Sequence, residues 1–341
     1  MNAIVVGGWL AVGAAYAGAI AAARHVAWRF GAVARPNPIV RSHRAPVPYF
    51  GGPALVLTWF VILAISWIAR DITPSRESLA RVAGAIALTA FGTWDDLRAF
   101  GPGRKFALQL AVCVGDVLVA GPSSPLAAAL HVLILVSLVN AFNLIDVMDG
   151  LLCLVTAIAA AGLLWTPGLV TGAARFEIAV LLAGLGVLFL FNRPPARIYC
   201  GDAGSMTLGF LIGTWILQDS GAESPLAALA LVGLCAVPAL ELLLLIPARL
   251  QRGLSPFRGS PDHYSLRLQD QLGWSKVRVL GVTAVAGASF AFAPALADRL
   301  PGAAVAAVAA VSIVLGAGLW FALWRIPPRP AMAPGARVVA D

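Results

Sequence analysis

Two adjacent carboxylates, Asp95 and Asp96, followed by Lys105, form the first group of side chains in this sequence that could do chemistry. Adjacent carboxylates repel each other, and they are stable together when a cation or a proton lies near them. A hard divalent ion such as Mg²⁺ binds carboxylate oxygens and leaves coordination positions for phosphate oxygens. The group therefore indicates a metal or phosphate site, although the solvated start of a loop explains it equally well when it is taken alone.

A second group repeats a polar residue at every third position: Asn140, Asn143, Asp146 and Asp149, with Gly150 after them. Residues three apart are neighbours on a helix surface, but the row drifts by about 60° at each step. The spacing therefore predicts a row that continues from a helix end into a loop. Polar groups at the edge of an apolar span are costly without partners, so they bind either a ligand or one another across helices.

A third group surrounds Asp202, with Tyr199 and Gly201 before it and Gly204 and Ser205 after it. The two glycines let the backbone approach a ligand closely. Ser205 could cap the following helix, whose N-terminal amides attract phosphate. A carboxylate among phosphate donors suggests a metal bridge between the two, while a plain capped turn is the alternative explanation.

The fourth group lies in the longest polar segment and combines Arg249 and Arg252 with Asp262 and His263, one of four histidines in the chain. Arginine binds phosphate through two parallel hydrogen bonds. Basic residues in such a segment also set membrane orientation, which is the alternative explanation for the two arginines.

The elements that position these groups are membrane helices. The chain is 60% hydrophobic and only 12% charged, with a mean hydropathy of +0.87, whereas a soluble domain carries about twice that charge. The apolar runs are continuous, so they predict helices, since a β-barrel needs alternating residues. We predict an all-α, polytopic catalytic domain over residues 1–324 and a disordered, Pro-rich cytoplasmic tail over residues 325–341. The eleven predicted spans cover residues 3–23, 50–69, 79–94, 105–121, 126–142, 150–167, 176–192, 204–218, 225–247, 277–296 and 302–324.

The basic residues predict the orientation of this domain. Of the 24 Lys and Arg residues, all but five lie in segments on the same side of the membrane as the C-terminus. Basic loops stay in the cytoplasm, so the N-terminus is predicted to be periplasmic and the C-terminus cytoplasmic. This rule also accounts for the net charge of +8 without a nucleic-acid partner. The five basic residues assigned to the outer side are Arg70, Arg76, Arg81, Arg175 and Arg299.

Carboxylates gather on the same, basic side, where loop carboxylates contribute little to topology. A functional site therefore explains them better. Carboxylates, amides, arginines and glycine turns on one membrane face together describe a site for a metal and a diphosphate. The carboxylates in the inner segments are Asp95, Asp96, Asp146, Asp149, Asp202, Asp262 and Asp270.

Five motifs in order resemble those of the polyprenyl-phosphate N-acetylhexosamine-1-phosphate transferases, the WecA and MraY type. They are residues 47–52, the acidic pair with Lys105, and residues 140–150, 201–205 and 252–257. The resemblance implies transfer of a sugar-1-phosphate from a UDP-sugar to undecaprenyl phosphate with release of UMP. It also implies a Mg²⁺ cofactor, for which Mn²⁺ could substitute, and an active site on the cytoplasmic face of a bacterial inner membrane. A homodimer is compatible with it.

The resemblance assigns roles to individual residues. Asp202 is expected to bind Mg²⁺, with Asn143 beside the metal and the diphosphate. Asp95 and Asp96 are expected next to the lipid phosphate, with Lys105 near them. Apart from the resemblance, we predict that Asp95 acts as a base or positions the phosphate and that Lys105 holds Asp96. These three residues and Asp202 form the predicted catalytic set. Tyr199 falls where the family stacks uracil. Asp146 and Asp149 are expected to shape the nucleotide pocket. The full set predicted to bind substrate is Asn140, Asn143, Asp146, Asp149, Tyr199, Gly201, Arg249, Arg252 and His263.

One departure bears on the sugar. The muramoyl-pentapeptide branch of the family carries three consecutive histidines where this sequence has only His263. This favours an N-acetylhexosamine without a large peptide, such as GlcNAc, and a role in starting a surface polysaccharide such as the O-antigen of lipopolysaccharide. Phospho-N-acetylmuramoyl-pentapeptide transfer remains the alternative.

Two other classes fit the sequence less well. CDP-alcohol phosphatidyltransferases hold their aspartates in one motif, whereas here Asp95 and Asp202 lie more than 100 residues apart. Secondary transporters place charges near the middle of the membrane. Only Asp116 and Glu241 fall clearly within the predicted spans, which disfavours a transporter.

Overall fold

The chain folds as a bundle of helices with one small pair of strands. The computed structural model describes residues 3–36, 40, 43–166, 168–170, 172–219, 233–255, 259–293 and 302–327. The strands β1 (Val33–Ala34) and β2 (Val47–Pro48) pair antiparallel, with Val33 opposite Pro48. The helices are α1 (Ala3–Phe30), α2 (Gly51–Ala69), α3 (Arg76–Leu97), α4 (Pro102–Ala120), α5 (Pro125–Ile145), α6 (Leu151–Trp165), α7 (Gly172–Asn192), α8 (Gly201–Thr214), α9 (Ala236–Gln251), α10 (Tyr264–Leu272), α11 (Lys276–Ala291) and α12 (Gly302–Trp324).

The prediction of an all-α membrane protein is confirmed, while the count of eleven spans and the orientation stay predictions. Within the described part of the chain, four helices are long and apolar enough to cross a membrane. They are Val5–Phe30, Gly51–Ala69, Pro125–Ile145 and Gly172–Asn192. Other helices are too polar or too short to meet this requirement of length and apolar composition. Helix α3 carries five charged residues, and α6 and α11 have only 15 and 16 residues.

Parts of the sequence predictions fall outside the described residues or need adjustment. Residues 225–232 and 294–296 of two predicted spans, and the tail beyond residue 327, are not described. The nine-residue helix α10 lies within a segment that was predicted to be a loop. Since α10 is too short to cross a bilayer, it leaves the predicted order of spans unchanged.

Helix α8 is the centre of the bundle and is buried along nearly its whole length. It packs against α3 and α5 through small residues: Gly92 of α3 lies against Ala203, and Gly209 lies against the α5 backbone. Gly204 lies against Gly52 at the start of α2. Small residues let membrane helices approach closely, where packing drives association. Gly204 therefore serves helix packing, which corrects its predicted role in approaching a ligand.

We expect Gly92→Ala to destabilise the protein, because the added methyl group would overlap the backbone of Ala203. Overpacking of this kind costs about 1–3 kcal/mol. Gly115→Ala in α4 is the matched control, since a Cβ there meets nothing within 4 Å. Thermal unfolding in detergent should show a lower Tm for the first variant only, and equal Tm values would contradict this packing.

A buried ion pair lies near the start of α3, away from Asp95 and Asp96 at the end of that helix. Arg81 of α3 and Glu177 of α7 are each 1% exposed, and Arg81 Nη1 lies 2.7 Å from Glu177 Oε2. Ser78 and Trp215 also donate hydrogen bonds to the Glu177 carboxylate. The prediction that only Asp116 and Glu241 are charged residues clearly within spans was wrong, since Arg81 and Glu177 are buried within α3 and α7. Hydropathy does not reveal that two charges far apart in the sequence neutralise each other.

Candidate active site

The site forms where α3 and α5 end and where α4 and α8 begin. Asp96, in the last turn of α3, accepts hydrogen bonds from the backbone amides of Asp202 (2.9 Å) and Ala203 (3.4 Å). The first amides of a helix lack partners within it and carry partial positive charge, so a carboxylate stabilises them. Asp96 thus caps α8 from another helix.

This cap corrects two sequence predictions. The N-terminal amides of α8 bind Asp96, so the predicted phosphate site at these amides is already occupied by a side chain. Ser205 lies one turn inside α8 and is not its cap. Gly201, with a positive φ of 73°, packs directly against the Asp96 carboxylate, where a Cβ would not fit.

Lys105 connects Asp95 with Asp202. Its Nζ forms an ion pair with Asp202 Oδ2 and lies 3.2 Å from Asp95 Oδ2. Asp95 Oδ1 accepts the backbone amide of Phe100 at 2.6 Å. The prediction that Lys105 holds Asp96 was wrong, because neighbouring residues on a helix point about 100° apart. Asp95 faces Lys105, while Asp96 faces the start of α8.

The row of polar residues from Asn140 to Asp149 continues from the end of α5 into the following loop, as its spacing predicts. Asn143 Nδ2 donates to Asp202 Oδ1 at 2.6 Å and to Ser205 Oγ at 2.9 Å. One turn earlier, Asn140 donates to Gln109 of α4 at 3.0 Å. Asn143 therefore holds the Asp202 carboxylate, and Asn140 joins two helices. Gln109 was missed, because a lone amide inside an apolar span gives no local signal of its partner.

Asp146 and Asp149 follow the end of α5 in different surroundings. Burial raises the pKa of the Asp146 carboxyl to about 7, and the negative charge of Asp202 adds to this, while an amide hydrogen bond from Gly201 opposes it. Asp149 Oδ2 instead accepts Lys276 Nζ at 2.8 Å and the amide of Ala196 at 3.2 Å. Lys276, at the start of α11, was not identified from the sequence.

The loop that carries Tyr199 is tied to the first motif. The Tyr199 amide donates to the Pro48 carbonyl at 2.8 Å, and the Gly51 amide donates to the Tyr199 carbonyl at 3.0 Å. The His43 ring contacts the Tyr199 ring edge-on, with centroids 5.4 Å apart. Asn192, which sequence reasoning also missed, donates to the Ile198 carbonyl at 2.8 Å. Residues 47–52 thus act by holding the Tyr199 loop.

A cavity of about 1030 Å³ brings these groups together. Its wall includes polar groups together with apolar side chains of α4, α5 and α9, including Phe106, Leu133 and Ile246. Arg252 is not part of this wall. Its Nη1 lies 2.7 Å from Asp262 Oδ1. The predicted site residues in the wall are Asp95, Asp96, Lys105, Asn140, Asn143, Asp146, Asp149, Tyr199, Gly201, Asp202, Arg249 and His263.

The donors in the wall fit a magnesium ion that is shared with a substrate. Among the described residues, no three His, Cys, Asp or Glu side chains converge as a ready-made metal centre. Mg²⁺ commonly binds through one or two carboxylates together with substrate phosphates and water. The Asp202 side chain is 30% exposed and faces the cavity, compared with 7% for Asp95. Asn143 uses its Nδ2 elsewhere, so it could contact a metal only through its amide oxygen.

Comparison with known proteins identifies the family. Residues 78–219, which contain the polar groups from Asp95 to Ser205, match the model of glycosyl transferase family 4. The decaprenyl-phosphate N-acetylglucosaminephosphotransferase of Mycolicibacterium smegmatis is 31% identical over 85% of this chain and 83% of its own length. This chain belongs to the polyprenyl-phosphate N-acetylhexosamine-1-phosphate transferase family.

Two further relatives show how far the likeness of this transferase extends. A glycosyltransferase of Streptomyces coelicolor is 32% identical over 67% of the chain, and the match spans 56% of that protein. The phospho-N-acetylmuramoyl-pentapeptide-transferase of Shouchella clausii is 29% identical over 74% of the chain and 84% of its own length. The chain is therefore a membrane-embedded transferase of the phosphosugar type found in these relatives.

Proposed function

We propose that this transferase moves an N-acetylhexosamine-1-phosphate, GlcNAc-1-phosphate or a closely related sugar, from a UDP-sugar to undecaprenyl phosphate. It releases UMP and starts a lipid-linked surface polysaccharide at the cytoplasmic face of a bacterial inner membrane. The observation that carries the proposal is a cavity whose wall combines carboxylates and a lysine with apolar side chains. Such a cavity matches a reaction between a charged nucleotide and a lipid phosphate.

The apolar side chains of the cavity wall fit the prenyl chain. Leu133, which is 60% exposed, and Val136 on α5 lie in the same wall as Leu242 on α9 and Lys105 on α4. A lipid lying on this wall would bring its phosphate to the Lys105 ammonium group. A lysine binds phosphate as a compact point charge with three donors, so it suits the head group of this acceptor.

The polar groups of the cavity wall fit the UDP-sugar. Tyr199 offers an aromatic face for uracil, and Asp146 lies beside it in the same wall. Arg249 and His263 border the cavity on the side of α9. A guanidinium group there is suited to phosphate oxygens, so the diphosphate would lie between Arg249 and Asp202.

The reaction is a phosphoryl transfer. An oxygen of the lipid phosphate attacks the phosphorus that bears the sugar, and the bond from that phosphorus to the bridging oxygen of UMP breaks. Bound Mg²⁺, held by Asp202 near Asn143, would supply positive charge to the diphosphate oxygens, and Mn²⁺ could replace it. Lys105 orients the attacking phosphate, because positioning and charge neutralisation provide most of the catalysis in phosphoryl transfer.

Asp95 is proposed to position Lys105 and not to accept a proton. The second pKa of a phosphate monoester is about 6, so the lipid phosphate is mostly dianionic and already nucleophilic at neutral pH. We expect Asp95→Asn to reduce kcat by a factor that stays constant from about pH 6 to 9. A pH series of UMP release measures this factor. A deficit that is largest at low pH and shrinks as the lipid phosphate loses its proton would instead show a proton acceptor.

Orientation is tested with single cysteines, because the four native cysteines are buried. We expect Gln271→Cys, exposed in the last turn of α10, to resist an impermeant thiol reagent in intact cells and to react after lysis. Thr73→Cys, exposed between α2 and α3, is the matched control and should react in intact cells. The reverse pattern would place the active site outside the cytoplasm.

The donor sugar is tested with a panel of UDP-sugars and undecaprenyl phosphate, scored by UMP release from the purified protein. Turnover of UDP-N-acetylglucosamine or another UDP-N-acetylhexosamine supports the proposal. The relative from Shouchella clausii makes phospho-N-acetylmuramoyl-pentapeptide transfer the second candidate. Release of UMP only from UDP-N-acetylmuramoyl-pentapeptide would identify that activity, and release from no donor would overturn both.

A further inference from the structure

A carboxylate inside the bundle contacts the histidine at the cavity wall. Glu241 lies in α9, and its side chain is 0% exposed. Its Oε1 lies 2.6 Å from Nδ1 of His263, and its Oε2 accepts the backbone amide of Tyr264 at 3.2 Å. A buried carboxylate within an apolar helix is costly, so such residues are kept for a function or a specific partner.

The segment around His263 is held by further buried contacts from three helices. Arg249 Nε of α9 donates to Ser260 Oγ at 2.9 Å. Arg267 Nε of α10 donates to the Asp262 carbonyl at 2.7 Å, and its Nη1 reaches the Ile326 carbonyl after α12 at 2.9 Å. The backbone beside His263 is therefore anchored by these contacts as well as by the hydrogen bond from the Tyr264 amide to Glu241. The remaining freedom of the histidine is the rotation and protonation of its ring.

The chemistry of the contact determines which nitrogen faces the cavity. An ionised carboxylate only accepts hydrogen bonds, so an ionised Glu241 requires Nδ1 of His263 to carry the shared proton. The nitrogen bound to a carboxylate sets the role of the other ring nitrogen. Within the described part of the chain, Nε2 has no hydrogen-bond partner, and His263 forms part of the cavity wall.

We propose that Glu241 is a positioning residue that acts through His263. It holds the imidazole with Nδ1 protonated, so that Nε2 contacts the sugar-phosphate part of the UDP-sugar. This inference rests on the proposed function and deepens it, because it adds a residue that lies outside the cavity wall. The charged groups that surround the pair are Arg249 from α9, Asp262 from the preceding segment and Arg267 from α10.

A double-mutant cycle tests the proposal. Kinetics of UMP release with UDP-N-acetylglucosamine are measured for Glu241→Gln, His263→Ala and the double variant. We expect Glu241→Gln to lower kcat/KM by about tenfold or more when His263 is present, as residues in one hydrogen-bond network do. In the His263→Ala background the same change should cost less than about twofold. Equal losses in both backgrounds, or no loss in either, would overturn the proposal.

Asp116→Asn is the matched control, since Asp116 is another buried carboxylate in a membrane helix and lies outside the cavity wall. Its kcat/KM, corrected for the folded fraction, should stay within about twofold of the wild-type value. A loss equal to that of Glu241→Gln would show that any buried carboxylate supports activity through the fold, which overturns a specific role for Glu241.

A second measurement needs neither turnover nor a variant of Glu241. In the wild-type protein labelled with ¹⁵N-histidine, the His263 signal is assigned from its loss in His263→Ala. We expect Nδ1 to be protonated. A neutral ring with its proton on Nε2 would overturn the proposal even if the enzyme is fully active. If no UDP-sugar is turned over, the proposed function fails. The protonation of the two His263 ring nitrogens still shows whether Glu241 holds the ring with its proton on Nδ1.

Discussion

Asp202→Asn abolishes UMP release while the protein stays folded: this is the largest effect that we expect on activity. An amide keeps the shape of the carboxylate but removes the charge that attracts both Lys105 and a divalent ion. Loss of one preorganised electrostatic group commonly lowers kcat by about 10²–10³. The measurement is the initial rate of UMP release per folded enzyme at saturating Mg²⁺.

Two observations indicate that Asp202→Asn should lose activity without unfolding. Asn143 Nδ2 donates to Asp202 Oδ1, and an Asn side chain at position 202 can present an oxygen at the same place. The capping contact from Asp96 uses the backbone amide of residue 202 and does not depend on its side chain. Asp71→Asn, at an exposed position between α2 and α3, is the matched control and should leave the rate unchanged. If Asp202→Asn retained more than about a tenth of the wild-type rate, less than about 1.4 kcal/mol would be involved and Asp202 would not be the main metal ligand.

The largest expected effect on stability comes from Arg81→Met. The variant leaves the Glu177 carboxylate buried without its cation, and breaking a buried pair in this way costs about 3–5 kcal/mol. Removing both charges together, in Arg81→Met with Glu177→Leu, should restore most of this loss, because neither charge is then left unpaired. Unfolding in mixed micelles with increasing denaturing detergent measures both variants.

An exposed pair in the same helix supplies the control. Arg76 and Glu77 lie 2.8 Å apart, but their side chains are 72% and 34% exposed. Solvent screens such a pair, and exposed pairs contribute about 0–1 kcal/mol. Glu77→Gln should therefore leave the unfolding midpoint nearly unchanged. If it cost as much as Arg81→Met, burial would not be the source of the effect.

Much of the fold was accessible from the sequence, because lipid forces backbone groups to pair within helices. The row of polar residues from Asn140 to Asp149 could also be placed at a helix end from its spacing alone. These inferences rely on local chemistry, in which neighbours along the chain determine the structure.

Contacts between distant segments were not accessible in the same way. The sequence indicates that Asp95 and Asp96 matter, but it does not show that one faces Lys105 and the other caps α8. That division depends on how α3 rotates against α8, which is set by the packing of Gly92 against Ala203. The pairing of Glu241 with His263 likewise depends on the path of the chain between α9 and α10.

The cap that Asp96 places on α8 has a consequence for how members of one family come to use different sugars. The backbone of Asp202 cannot shift without lengthening the hydrogen bonds that join α8 to α3. Substitutions in other segments should therefore leave the position of Asp202, and with it the proposed geometry of phosphate attack, unchanged. The segment beside His263 is anchored on other helices, α9, α10 and the end of α12. Under the proposed function, substitutions in that segment would alter the choice of donor and leave the transfer chemistry unchanged, so that one membrane scaffold would supply the first sugar of different polymers.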